Sequence, residues 1–257
     1  MAAETWNLAG DMAFAPKRAV ERILKDKDSQ LLQAGAVLLL YMAVSAVFYR
    51  LKPEGFPTPP EGWTPPVVPR GLWFWVRVQL WTPLLTAVLL ATTAWFSQLL
   101  RGEHLPRRML AAVLSGAIPV LLLVVYANHL IPSWAFGGAW LVLAALMAPG
   151  YRRMPPGRWK PLAATLMAVN ALALAGTPLF TLAVLTRSET FYHGLEFGLL
   201  FWTLGVATSA VSAVLDLPAP RAFAAVFLGL LSQILFVFSM STLGVLPNDV
   251  LKALMAV

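Results

Sequence analysis

Residues 107–130 read RRMLAAVLSGAIPVLLLVVYANHL. Two arginines open the stretch, and no Asp, Glu, Lys or Arg follows between Met109 and Leu130. A helix needs about 20 predominantly apolar residues to cross the hydrocarbon core of a bilayer. A basic pair followed by a run of this length and purity is the pattern of a membrane-spanning helix. That reading decides how the rest of the chain is treated.

Working outward from 108–130, six further apolar segments are found at 31–48, 72–100, 134–148, 161–185, 194–215 and 221–243. The segment 134–148 is the shortest and carries Gly137 and Gly138 near its start. Composition agrees with a lipid solvent. Of 257 residues, 59% are hydrophobic and 12% charged, against about 45–50% and about 25% in a soluble domain. Too few charges are present to cover a water-facing surface. The expected fold is therefore all-α, a polytopic transmembrane helix bundle of about seven spans. Its parts would be a lead-in at 1–30, a transmembrane domain at 31–243 and a short tail at 244–257.

The net charge of +7 would suggest nucleic acid in a soluble protein. Here the basic residues lie in short links between apolar runs, where they orient the chain, so nucleic acid is not expected as a partner. With the N-terminus inside, Lys17, Arg18, Arg22, Lys25, Lys27, Arg101, Arg107, Arg108, Arg152, Arg153, Arg158, Lys160 and Arg221 fall inside. Arg50, Lys52, Arg70, Arg187 and Lys252 fall outside, thirteen against five with Arg77 uncounted. The bias survives only if 134–148 spans. The expected topology is N-terminus in and C-terminus out, and about thirty mixed residues before the first run argue against a cleaved signal peptide. Trp73, Trp75 and Trp134 then sit at outer ends and Trp95 and Trp159 near inner ends, as in an aromatic belt. Trp81, Trp140 and Trp202 lie deeper and would pack between helices.

Three connecting segments have readings of their own. The loop 51–71 holds Pro53, Pro57, Pro59, Pro60, Pro65, Pro66 and Pro69, which favours extended backbone and reads as a stiff hairpin or a docking strip. Before the first span, Phe14, Val20, Ile23 and Leu24 form a short apolar stripe among basic residues. That suits either a helix flat on the inner membrane surface or a simple lead-in helix. Residues 249–257 could form a similar helix outside.

Ionisable and polar residues at membrane depth are the default functional candidates. Arg77 and Glu196 occupy similar depth near outer ends and could pair if their helices adjoin. Asn170 and Gln233 lie mid-membrane and would seek interhelical partners or line a polar substrate site. Pro83, Pro119 and Pro178 lie inside segments and would break or kink them. Gly205, Ser209 and Ala213 form a stripe of small residues that would allow close helix approach. Asp216 and Arg221 flank the turn at 217–220 and would cap a charged hairpin. The chain has no cysteine, and His104, His129 and His193 fall on both sides of the membrane, so no metal site is expected. No nucleotide-, hydrolase- or metalloprotease-type motif is present, and neither a cofactor nor an enzymatic activity is expected.

Five stretches carry a family resemblance. They are Phe14-Ala15-Pro16-Lys17-Arg18-Ala19-Val20; Thr82-Pro83-Leu84 with Phe96-Ser97-Gln98-Leu99-Leu100; the basic link 101–108 leading to Ala111-Ala112-Val113-Leu114 and Ile118-Pro119; Phe201-Trp202-Thr203-Leu204; and Pro220-Arg221-Ala222-Phe223. In these the chain resembles the bacterial branch of the Yip (Ypt-interacting protein) domain family. The resemblance implies five spans, a cytoplasmic N-terminus and an exported C-terminus, with 133–185 as an inserted helical pair. The chain departs from that pattern in having only Gly102 in a linker that is often glycine-rich, and in lacking the tyrosine-glycine-proline segment of eukaryotic members. The function so implied is a non-enzymatic membrane organiser or adaptor in a bacterial cytoplasmic membrane. It would act through the bilayer and a membrane-protein partner or a second copy of itself. The alternative from the residues is a small-molecule transporter or lipid-handling protein.

Overall fold

The computed structural model describes residues 2–58, 68–69 and 71–255. Pro59, Pro60, Pro65, Pro66 and Arg70 lie outside the described residues. Twelve α-helices and one short 3-10 turn make up the described chain, without a strand among the described residues. They are α1 (Ala2–Phe14), α2 (Pro16–Lys25), α3 (Lys27–Leu51), α4 (Leu72–Gln79), α5 (Thr82–Leu99), α6 (Leu105–Ala127), α7 (Ser133–Arg152), α8 (Trp159–Ala168), α9 (Ala171–Leu185), α10 (Glu189–Leu215), α11 (Ala219–Thr242) and α12 (Asn248–Met255).

Seven helical stretches are long and apolar enough to cross a membrane: Lys27–Leu51, Leu72–Leu99, Leu105–Ala127, Ser133–Arg152, Pro156–Leu185, Glu189–Leu215 and Ala219–Thr242. The chain is thus all-helical, with the build of a multi-pass integral membrane protein. A polar cap can start a helix ahead of its apolar run. Asp26, for example, accepts from Ser29 N at 3.3 Å and starts α3 before Leu31. The segment 134–148 is a full 20-residue helix, α7, with both of its early glycines helical.

Two of the seven are broken. The second divides at Leu80–Trp81 into α4 and α5, and Pro83 stands in the first turn of α5. Proline there starts a helix rather than kinking one, because its missing N–H is not needed in a first turn. The fifth divides at Val169–Asn170, well before Pro178, which lies inside an unbroken α9. Pro119 and Pro149 are likewise enclosed in continuous helices, α6 and α7.

Packing places α8 and α9 between α3 and α10. Leu162, Ala164, Ala168 and Leu172 are fully or almost fully buried there. α11 joins α10 to α5, while α6 and α7 lie outside, α6 on α11 and α7 on α5. Residues 133–185 thus divide between the rim and the middle of the bundle. α7 is peripheral and α8–α9 is central, and they meet at their connection, where Tyr151 and Trp159 have ring centroids 5.7 Å apart.

The lead-in spends its apolar stripe on protein. α1 and α2 form a hairpin held by Asp11 and Arg22, 2.8 Å apart. Leu8, Met12, Ala19, Val20 and Ile23 are buried in the main core with Val211 and Val214 of α10. A helix flat on the lipid surface would leave that face free, so that expectation is corrected. α12 also turns its apolar face inward, burying Val250 and Ala253 against Phe74, Trp75 and Val78 of α4.

The end of the bundle that carries most of the basic residues is tied by arginines to helix C-termini. Arg101 Nη2 donates to Leu215 O, and Arg158 donates to Val214 O and to the Asp216 carboxylate. Arg108 Nη1 donates to Leu99 O at 3.1 Å, and Arg221 Nη1 to Gly102 O at 2.7 Å. Lys160 pairs with Asp28 of α3. Asp216 is the C-cap of α10 and Arg221 lies in the first turn of α11, and each bonds across to another link, Asp216 to Arg158 and Arg221 to Gly102 O. The last carbonyls of a helix have no intrahelical partner and carry partial negative charge, which cationic donors satisfy.

The small-residue stripe is corrected too. Gly205 and Ala213 are exposed, and a Cβ on Gly205 would meet nothing within 4 Å. α10 packs instead through Val206, Ala207, Ala210, Val211 and Val214. A close approach is on α11, where Gly229 faces α5. A Cβ there would stand 2.5 Å from Thr93 Oγ1 and 3.2 Å from Leu89 Cδ1. Thr93 is fully buried and cannot retreat. Gly229→Ala is expected to destabilise the bundle by about 1–3 kcal/mol, read as a lower thermal midpoint in detergent. Gly205→Ala leaves that midpoint unchanged or slightly raised; equal losses at both positions would contradict this packing.

Candidate functional site

At the end opposite the arginines, three helical faces converge. Tyr41, Ser45, Phe48, Tyr49 and Lys52 recur at three- and four-residue intervals along α3 and its C-cap. Ala173, Thr177 and Phe180 do so on α9, and Tyr192, Glu196, Leu199 and Thr203 on α10. Side chains at i, i+3 and i+4 share a helix face. These faces enclose a cavity of about 380 Å³ whose wall holds the Glu196 carboxylate and several hydroxyls.

A second cavity of about 470 Å³ adjoins it between α3 and α9. Its lining is apolar, chiefly Val44, Val47, Leu51, Val184 and Leu185, with Lys52 at one end. Phe48 and Thr177 line both spaces, so the two share a wall. Val47, Leu51 and Leu185 are 48%, 71% and 77% exposed, which opens the apolar groove sideways along the bundle surface. Both volumes lie in the range of ligand sites, about 300–1,000 Å³.

Lys52 is the hub of this end. Its Nζ donates to Tyr192 Oη at 3.0 Å and stands 4.9 Å from the Tyr192 ring centroid and 5.8 Å from that of Tyr49. A cation centred over a ring face lies nearer the centroid than the hydroxyl. The reverse holds here, so the hydrogen bond, not the π-face, fixes the ammonium on Tyr192. Tyr192 is almost completely buried, with edge contacts to Phe56 at 5.3 Å and Phe180 at 5.2 Å. Tyr49 stacks on Trp75 at 5.2 Å, linking α4 to the cluster. The start of the proline-rich loop crosses this end, where Thr58 N donates to Glu189 Oε1 at 3.1 Å. Burial pulls the Lys52 ammonium below its ordinary range, and the nearby Glu196 carboxylate opposes part of that shift.

Of the polar residues singled out at membrane depth, Glu196 lines one of these two cavities, and Arg77, Asn170 and Gln233 line neither. Glu196 Oε2 stands 2.9 Å from His193 Nδ1, one turn away on α10. Arg77 is exposed on α4, which packs on α3 and α12 rather than on α10, so the proposed Arg77–Glu196 pair is not brought together. Asn170 is no interhelical link. Its Nδ2 donates to Met167 O at 3.0 Å and Leu166 O at 3.4 Å, serving carbonyls at the break between α8 and α9. Gln233 is half-buried on α11, away from both cavities. Among the tryptophans, Trp73 and Trp134 are 72% and 79% exposed, as a belt residue would be, whereas Trp75 is buried. Trp202 is exposed beside Phe14 rather than packed between spans.

Sequence reading missed Lys52, Tyr49 and Tyr192, having counted Lys52 only as a loop charge. The available signal was the helical spacing of polar and aromatic residues at 41, 45, 49 and 52, matched at 192, 196 and 203. No group of three or more His, Asp or Glu residues able to hold a metal occurs among the described residues.

No protein-family model, curated protein or solved structure matches the chain. The Yip resemblance therefore gains no support beyond the five stretches that suggested it.

Two substitutions separate the roles of Tyr192. Tyr192→Phe removes the acceptor of Lys52 but keeps the ring, at a cost of about 1 kcal/mol. Tyr192→Ala leaves a void among Phe56, Phe180 and Lys52 and costs about 3–5 kcal/mol. Thermal unfolding in detergent measures both; equal effects would mean that ring packing does not organise this end.

Proposed function

We propose that this integral membrane protein binds an amphiphile in the cleft between α3, α9 and α10, and that its role is lipid handling or small-molecule transport. Binding, rather than bond chemistry, is the activity assigned to the site. One observation carries the reading: a cavity with a carboxylate and hydroxyls shares a wall with an apolar groove that opens toward the lipid-facing side of the bundle. A molecule with a polar head and an apolar chain fits that pair of environments, and a wholly polar or wholly apolar one fits only half of it. The break at Val169–Asn170 starts α9, which forms a wall of both spaces.

The test is native mass spectrometry of the full chain released from lipid nanodiscs. The wild type is expected to retain a bound amphiphile. Thr177→Phe, which fills the shared wall, should lose it while keeping its thermal transition. Retention unchanged in Thr177→Phe would overturn the assignment of the cleft.

A second reading, the Yip-like organiser or adaptor, has one observation in its favour. Only 6% of the apolar stretch of each of α6 and α7 is buried, against 28–39% in the other five spans. These two helices could receive a membrane-protein partner or a second copy of the chain. A stoichiometric protein in the same spectra, lost on substitution of α6 or α7 rather than of the cleft, would favour it.

For orientation, we propose that the arginine-rich end faces the cytoplasm in a bacterial cytoplasmic membrane, which the distribution of Lys and Arg supports. Because the chain has no cysteine, single cysteines report sidedness directly. Ser133→Cys should react with a membrane-impermeant maleimide in intact cells, and Glu103→Cys only after lysis. The opposite pattern would invert the topology.

A further inference from the structure

We infer that the cleft selects a phospholipid with a zwitterionic headgroup, its phosphate at Lys52, its amine at Glu196 and one acyl chain in the groove between α3 and α9. This rests on the amphiphile reading above and names the ligand class.

The argument is charge complementarity at a fixed depth. Lys52 ends the apolar groove, and Glu196 lines the adjoining cavity of mixed lining, with Phe48 and Thr177 between the two spaces. Both stand near the same end of the bundle, Lys52 at the C-cap of α3 and Glu196 in the second turn of α10. The apolar groove runs from there along α3 to Ala43 and along α9 to Thr177, toward the middle of the spans. A headgroup at the membrane surface with its chain pointing inward follows that path.

The signs of the charges choose among lipids. Lys52 is half-buried, and among the described residues its one hydrogen bond goes to a neutral phenol. An ammonium has three donors, so two directions remain for phosphate oxygens. Burial disfavours a charge; the nearby Glu196 carboxylate offsets part of that cost at Lys52, and a phosphodiester supplies a countercharge in direct contact. The Glu196 carboxylate is bonded to His193 but faces the cavity. An anionic lipid whose headgroup ends in hydroxyls would meet it with no cation. A simple ammonium amphiphile would meet Lys52 with no anion. A headgroup with both charges satisfies both side chains. Arg50 and Arg187, at the same end, line neither space and do not alter the balance.

The full chain is placed in nanodiscs holding equal parts of phosphatidylethanolamine, phosphatidylcholine and phosphatidylglycerol. Retained lipids are then identified by native mass spectrometry. The wild type is expected to enrich the two zwitterionic lipids over phosphatidylglycerol by about tenfold. Glu196→Gln, which leaves Lys52 alone, should shift the preference toward phosphatidylglycerol. Lys52→Gln should lose phospholipid, and Lys52→Arg, which keeps the cation, should retain it. Arg50→Gln should match the wild type. Lipid retained in bulk proportions, or a preference untouched by Glu196→Gln, would overturn the headgroup inference and leave the amphiphile site standing. Retention of no lipid at all by the wild type would overturn both.

Discussion

The structure depends on satisfying helix ends. A bundle of this kind ends seven spans at each membrane face, and each helix ends with carbonyls that lack intrahelical partners. At one face, arginines do this work across helices. Arg101 and Arg158 reach α10 from the end of α5 and the start of α8, Arg108 reaches the end of α5, and Arg221 reaches the link between α5 and α6. A guanidinium has five donors in a fixed fork, and a bond from a charged donor contributes about 1.5–3 kcal/mol. The basic residues that orient such a chain by charge are therefore also the bolts that hold its helices in register.

The opposite face is closed differently. Aromatic rings surround one lysine, with Trp75, Tyr49, Phe56, Phe180 and Tyr192 gathered from α4, α3, the following loop, α9 and α10. Rings fill volume but bond few carbonyls. Packing around a single cation leaves space beside it, and both cavities lie there. The tightly bonded face and the open face are two consequences of where the chain put its arginines and its aromatics.

Between the faces, two spans are discontinuous. At Val169–Asn170 the asparagine turns its amide onto the carbonyls behind it, so the break costs little in unsatisfied backbone. At Leu80–Trp81 the second span restarts on Pro83, where proline favours a first turn. The central position of α8–α9 follows from its small and fully buried residues, which let α3 and α10 approach from both sides.

Some of this was legible in the residues alone. Length and apolarity located all seven spans, including α7, because the need for about 20 apolar residues acts on each helix separately. Hydropathy also gives position along a span, which is why Arg77 and Glu196 read as lying near span ends. It does not give the direction in which a side chain points or which helix lies beside it. Arg77 and Glu196 therefore lie on helices that both border α3, α4 by packing and α10 across the cavity, and that do not pack on each other. Gly205, Ser209 and Ala213 have the spacing of a packing stripe, yet close approaches fall at Gly150 of α7 and Gly229 of α11. The Lys52–Tyr192 bond joins residues 140 positions apart, a pairing that no local pattern encodes. The sequence by itself determined the solvent, the spans and the charged end; tertiary structure alone decided the rotation of each helix, and with it which residues meet in the cleft.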